Sequence, residues 1–358
     1  MSSPTRPLGR LAVPLVALGL VSALLLGGCA AAAGEDDAAR PAGRDVDPST
    51  GPADEADQAD QADAAAAYPL TLDNCGFEVS VEAAPQRVVT IKSSTLEMML
   101  SLGLADRVVG AAFLDGPLPE ELADEGADLE ILSDRAPGQE AVLTSEPDLV
   151  YAGWESNLSA ESAGERSALA GFGVATYVSP SACKGQGYQP DPLTFDGVFE
   201  EILQAGELFG VPDAAARLVD AQRAELAELD AEPLGVSALW YSSGDDTPYV
   251  GAGIGAPQMI MDTVGLTNIA ADVHDTWTAF GWEQVVAEDP DVIVLVDAAW
   301  NTAASKRESL EANPVTMGLT AVREGRYLTV PFAATEAGVR NVAAAQDLAR
   351  QLAELGMG

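Results

Sequence analysis

Basic residues are scarce in this chain: 18 lysines and arginines face 56 aspartates and glutamates, for a formal net charge of −38 over 358 residues. A surface this acidic repels the phosphates of nucleic acid and of anionic lipid, so neither is expected as a partner. Histidine is scarcer still, with His274 the only one. Capture of bare zinc or manganese normally takes several imidazoles with carboxylates, so no metal site is expected. The same shortage leaves no Ser-His-Asp or Cys-His set unless His274 serves, and nothing near it recommends that. Paired carboxylates for glycoside chemistry are marked by no spacing. No cofactor is called for, and an enzyme is not the expectation. Long apolar runs are also missing: the stretch at 11–26 falls short of the ~20 residues of a membrane span.

That stretch has another use. Arg6 and Arg10 precede it and Leu26-Gly27-Gly28-Cys29 ends it, the layout of a secretory signal. The four residues resemble the bacterial lipobox, which implies cleavage after residue 28 and a lipid on Cys29 that holds the chain to the outer face of the membrane. An uncleaved anchor helix is the alternative, and both place the bulk of the chain outside the cytoplasm. Residues 29–67 are mostly Ala, Asp, Glu, Gly, Pro and Gln. They have too little apolar surface to offset ordering entropy, so a disordered acidic tether is expected. Cys75 and Cys183 remain, in an oxidising compartment where a disulfide and two free thiols are both open.

From residue 68 the chain alternates short branched runs with helical ones, which implies an α/β fold with mainly parallel sheets. Strands are expected at 71–81 (a hairpin), 87–91, 108–110, 147–151 and 173–178, then again at 237–241, 290–296 and 325–330. Between the two sets, residues 194–230 show helical spacing broken only by Gly210 and Pro212. Laid end to end they would reach ~45 Å at 1.5 Å per residue. The expectation is two similar lobes, 68–193 and 231–358, joined by a long rigid helix at 194–230. The lobes also repeat in detail. Glu140 and Glu283 each stand seven residues before a Pro-Asp pair (147–148 and 290–291), and Gly103-Leu104 is matched by Gly265-Leu266.

On Arg87-Val88-Val89-Thr90-Ile91, the run at 102–110, Glu146-Pro147-Asp148 and Asp289-Pro290-Asp291, the sequence resembles the ferric-siderophore and cobalamin class (class III) of ABC-importer solute-binding lipoproteins. The resemblance covers residue 68 to the end. It implies a monomer that holds a bulky small-molecule ligand between two lobes and hands it to a permease dimer driven by an ATPase. It also implies one docking glutamate per lobe, at Glu140 and Glu283. Residues 239–248 and 329–340 look most like a subgroup assigned to a deazaflavin, the precursor of coenzyme F-420. An exported enzyme or adhesion-type lipoprotein is the alternative.

Ligands of open α/β lobes meet the loops at the carboxyl ends of strands. Lys92, Ser93, Ser94, Asp115, Arg135, Trp154, Tyr241, Trp277, Trp300 and Arg340 are therefore the candidate ligand-binding residues, the loop tryptophans as platforms for a flat or apolar group. Trp240 and Trp282 read as lobe core. Gly253 sits in a glycine-rich turn (251–256) that opens a helix, whose amides could cradle an oxyanion, with Lys92, Arg135 or Arg340 assisting. A plain tight turn, or a dinucleotide site, are its other readings.

Overall fold

The computed structural model describes residues 68–185, 187–229 and 232–358; the signal, Cys29 and the tether lie outside the described residues. A hairpin of β1 (Leu70–Asn74) and β2 (Phe77–Val81) opens the fold. Then follow β3 (Val88–Ile91), α1 (Ser93–Ser101), β4 (Val108–Ala112), β5 (Ile131–Ser133), α2 (Gln139–Thr144), β6 (Leu149–Ala152), α3 (Arg166–Gly171) and β7 (Ala175–Val178). The first sheet runs β5-β4-β3-β6-β7 and is parallel throughout. Strands β3 and β6 are buried at every position, as a sheet covered on both faces requires.

The segment expected to be one beam folds back on itself. It forms α4 (Phe195–Leu208) and α5 (Pro212–Leu226). Thr194 caps α4 through its side chain, which accepts the Gly197 amide at 3.1 Å. Gly210 takes φ 71° to end the turn, and Pro212 starts α5 where its missing N–H costs nothing. The two helices are antiparallel: Arg223 lies 2.8 Å from Asp196 and over the Phe199 ring at 4.8 Å. Near the turn they touch so closely that a Cβ on Gly206 would lie 2.3 Å from that of Ala215. The expected long rigid helix is thus a helical hairpin. α4 leans on the first lobe through Tyr177–Gln204 and Ser181–Glu201 hydrogen bonds, and α5 on the second through Gln222 to the Val339 carbonyl.

The second lobe has β8 (Val236–Ser243), β9 (Tyr249–Gly251), α6 (Ala256–Thr263), β10 (Leu266–Asn268), β11 (Trp277–Ala279), α7 (Trp282–Glu288), β12 (Val292–Asp297), α8 (Ala303–Ala312), α9 (Thr320–Glu324), β13 (Tyr327–Pro331) and α10 (Asn341–Glu354). Strands β10, β8, β12 and β13 are parallel; β9 and β11 add an antiparallel edge. Strand pleat divides the core. Val292, Val294 and Val296 face one cluster that runs through α4, α5 and both lobes, while Ile293 and Leu295 face a second cluster. Val89 and Ile91 do the same in the first lobe. A shared core of this kind resists hinge motion between the lobes.

The duplication is physical as well as textual. Asp148 accepts the amides of Gln86 and Arg87 just before β3, and Asp291 accepts the Ser237 amide within β8. Glu146 and Asp289, each just before the proline, are left-handed, at φ 46° and 42°. Gly103 and Gly265 close equivalent helices at φ 74° and 75°, a conformation that favours glycine. Cys75 and Cys183 are joined by a disulfide, Cα to Cα 5.2 Å, which ties the hairpin to the segment before α4.

Candidate functional site

Between the lobes lies a cavity of about 730 Å³, within the size range of small-molecule sites. Its walls are strand ends. After β6 comes Trp154, after β7 Ser179 and Ser181, at the end of β8 Ser242 and Ser243, after β12 Trp300, and after β13 Phe332, Thr335 and Glu336. Phe332 is the aromatic centre. Trp277 lies parallel to it at 6.1 Å, and Trp154 and Trp300 meet it edge-on at 6.2 and 5.6 Å. Tyr249 extends the row by stacking on Trp277 at 6.3 Å.

Ser94, Trp154, Trp277 and Trp300 thus line the cavity. Trp240 and Trp282 are core, as the strand positions imply. The other candidates do not reach it. Lys92 is fully buried, paired with Asp115, and its ammonium sits 4.0 to 4.5 Å from the rings of Trp154, Phe113 and Phe332. Ser93 accepts the Asp115 amide at 2.8 Å. These three form a joint beneath the aromatic wall, which the Asp115 carbonyl ties to the Ala299 amide at 2.7 Å. Tyr241 is buried, giving its hydroxyl to the Gly244 carbonyl at 3.1 Å. Arg135 is exposed on the first lobe away from the cavity. Arg340 is committed to Glu97, with both oxygens at 2.6 Å.

Nor does Gly253 cradle an anion. The amides of Ala252, Gly253 and Ile254 donate to the carbonyls of Thr276, Val273 and Asp275 at 2.9 to 3.1 Å. Their donors are spent within the lobe, so the glycine-rich run is a tight turn. At its end Ile254, Gly255 and Ala256 reach the cavity wall.

The sequence-based candidates omitted Glu336, Phe332, Tyr249 and Lys184. Lys184 spans the cleft to Asp275 at 2.5 Å and Thr276 at 2.8 Å, and its amide donates to Glu155 at 2.6 Å. The Trp154 indole donates to Glu336 at 2.6 Å. Burial pushes the Glu336 carboxyl up to about 7, against the pull of Lys92. Glu336 and Phe332 stood in a loop legible as a strand end; nothing local marked which side chains turn inward.

Glu140 and Glu283 are both exposed in the first turn of α2 and α7, the short helices before the equivalent strands β6 and β12. Their carboxylates favour those helix ends.

Residues 88–334 match the family model described as periplasmic binding protein. The chain belongs to that family. Among its relatives, an uncharacterized ABC transporter substrate-binding lipoprotein of Bacillus subtilis (strain 168) is 26% identical over 80% of this chain and 86% of its own length. A protein of Halobacterium salinarum (strain ATCC 29341 / DSM 671 / R1) named cobalamin-binding protein is 30% identical over 74% and 69%. The solved structure of an ABC-type Fe3+-hydroxamate transport system protein from Saccharomonospora viridis DSM 43017 superposes with a TM-score of 0.68 at 26% identity. It covers 80% of this chain and 99% of that one. This periplasmic binding protein is therefore of the class III ABC-importer type. No helix among the described residues is long and apolar enough to cross a membrane, and no group of three or more potential metal ligands occurs among them.

Proposed function

We propose that this is the lipid-anchored capture component of an ABC importer, monomeric, holding a bulky ring-rich ligand of the ferric-siderophore, corrinoid or deazaflavin type, the last being the F-420 precursor class. The observation that carries the reading is the aromatic-walled cavity between lobes that share one core. Such a wall contributes area and face-on contact to a flat or macrocyclic ligand. The chain is a binder and not a catalyst. The titratable groups lining the cavity are Glu155, Lys184, Glu336 and Tyr249. The first three each have a structural partner, and Tyr249 is stacked on Trp277 with burial pushing its hydroxyl up.

Three of the five tryptophans line the cavity, so the domain from residue 68 onward reports its own occupancy. Titration with ferric siderophores, corrinoids and deazaflavins should give saturable quenching by one class. Silence toward all three would overturn the capture reading and favour the exported enzyme or adhesion alternative. In Trp277→Ala the dissociation constant of that class should rise roughly tenfold, the loss of one aromatic face worth about 1.4 kcal/mol. An unaltered constant would return Trp277 to lobe packing.

A further inference from the structure

The cavity has a charge bias that selects among those ligands. Among the described residues no arginine lines it, and the one lysine that does, Lys184, is already paired with Asp275. Lys92 lies below the rings, neutralised by Asp115 and absent from the wall. Glu336 is different. One carboxylate oxygen accepts the Trp154 indole N–H; the other takes no hydrogen bond from any described residue, and the residue lines the cavity. A half-free carboxylate set among Trp154, Trp277 and Phe332 is suited to a cation, which gains from the ring faces and from the carboxylate together. It opposes an anion on both counts, and no unpaired cationic side chain among the described residues lines the cavity to offset that.

Resting on the capture reading above, we infer that the ligand is cationic, or at least presents an N–H donor at Glu336, and that anionic congeners are rejected. Carboxylate- and phosphate-bearing ligands fall on the wrong side of this selection; an amine-bearing ferric hydroxamate or a cationic corrinoid falls on the right side. The selection is electrostatic and so depends on the ionisation of Glu336. Around that group stand the Trp154 indole, the Lys92–Asp115 pair and Lys184 with Asp275. With its carboxyl titrating at about 7, Glu336 is ionised at pH 8 and largely protonated at pH 6.

Two matched series test the inference by tryptophan quenching at pH 8. One is a ferric linear trihydroxamate with a free terminal amine, its N-acetyl form and its N-succinyl form. The other is a cyano-corrinoid carrying a side-chain primary amine, its N-acetyl form and a cyano-corrinoid monocarboxylate. In whichever series binds, the cationic member should bind roughly tenfold tighter than the neutral one, and the neutral one tighter than the anionic, one charge-assisted contact per step. Glu336→Gln keeps an acceptor for Trp154, and there the ratios should fall toward one. They should narrow in the same way for the native chain at pH 6. Equal affinities across a series that binds, or ratios unchanged in Glu336→Gln, overturn the charge selection and leave capture standing. No binding in either series overturns the charge inference together with the siderophore and corrinoid forms of the capture reading.

Discussion

Arg340→Ala is expected to lower the folding free energy by about 3–5 kcal/mol, the usual cost of stripping one partner from a buried ion pair. Arg340 and Glu97 come from different lobes, 243 residues apart in sequence, and the Glu97 side chain is only 1% exposed. Burial already pushes the Glu97 carboxyl up to about 7 with Arg340 beside it. Without the guanidinium it rises further. The pH dependence then has a definite sign. A carboxyl raised in the folded state favours folding below its unfolded value and loses that contribution as pH climbs to the folded value. Between about 4.5, the unfolded value, and 7 the native chain and the variant lose stability in parallel. Above 7 the native contribution levels off while the variant continues to fall, so that part of the deficit opens on the alkaline side. Urea denaturation at pH 5 and pH 8.5 measures this. A deficit under 1 kcal/mol at both values would sink the assignment of this pair as a lobe clamp. The conservative partner is Glu97→Gln combined with Arg340→Met, which removes both charges and should recover most of the loss.

The same pair illustrates what can be read from a sequence. Features made by neighbours in the chain were legible. The Pro-Asp pairs at 147–148 and 290–291 mark left-handed residues followed by aspartates that cap strand starts, and Gly103 and Gly265 end equivalent helices. Two lobes, mainly parallel sheets and the strand ends that border the cavity followed from such signals. Partners distant in sequence left none. Arg340 and Lys92 resemble ligand contacts because a cation at a strand end is costly without a partner, yet their partners, Glu97 and Asp115, occupy other segments. Gly210 and Pro212 announce a break between helices but not the angle of the turn, which is set by the Gly206–Ala215 contact and the Asp196–Arg223 pair. Strands β9 and β11, three residues each, are too short for periodicity to declare, so Tyr249 went unnoticed as the last ring of the aromatic row.

Replacing both Glu140 and Glu283 with alanine should abolish ligand uptake while the dissociation constant of the isolated domain stays the same. Both residues are exposed, and neither lines the inter-lobe cavity. They occupy duplicated places, on the first turns of the helices that precede β6 and β12. We propose that this pseudo-symmetric pair of carboxylates docks on a two-fold permease dimer with one basic site for each lobe, since such charge pairs fix register and encounter rate. Truncating one member of a charge pair that docking buries costs about 2–5 kcal/mol. Two lost pairs exceed about 4 kcal/mol and weaken docking by roughly a thousandfold. Single variants should each retain part of the uptake, since one contact remains, and Glu140→Arg should be more damaging than Glu140→Ala because it adds repulsion. Uptake by cells carrying the double variant, measured beside quenching titration of the purified domain, separates delivery from capture. Native uptake with both glutamates gone would show that the permease reads some other surface of the two lobes.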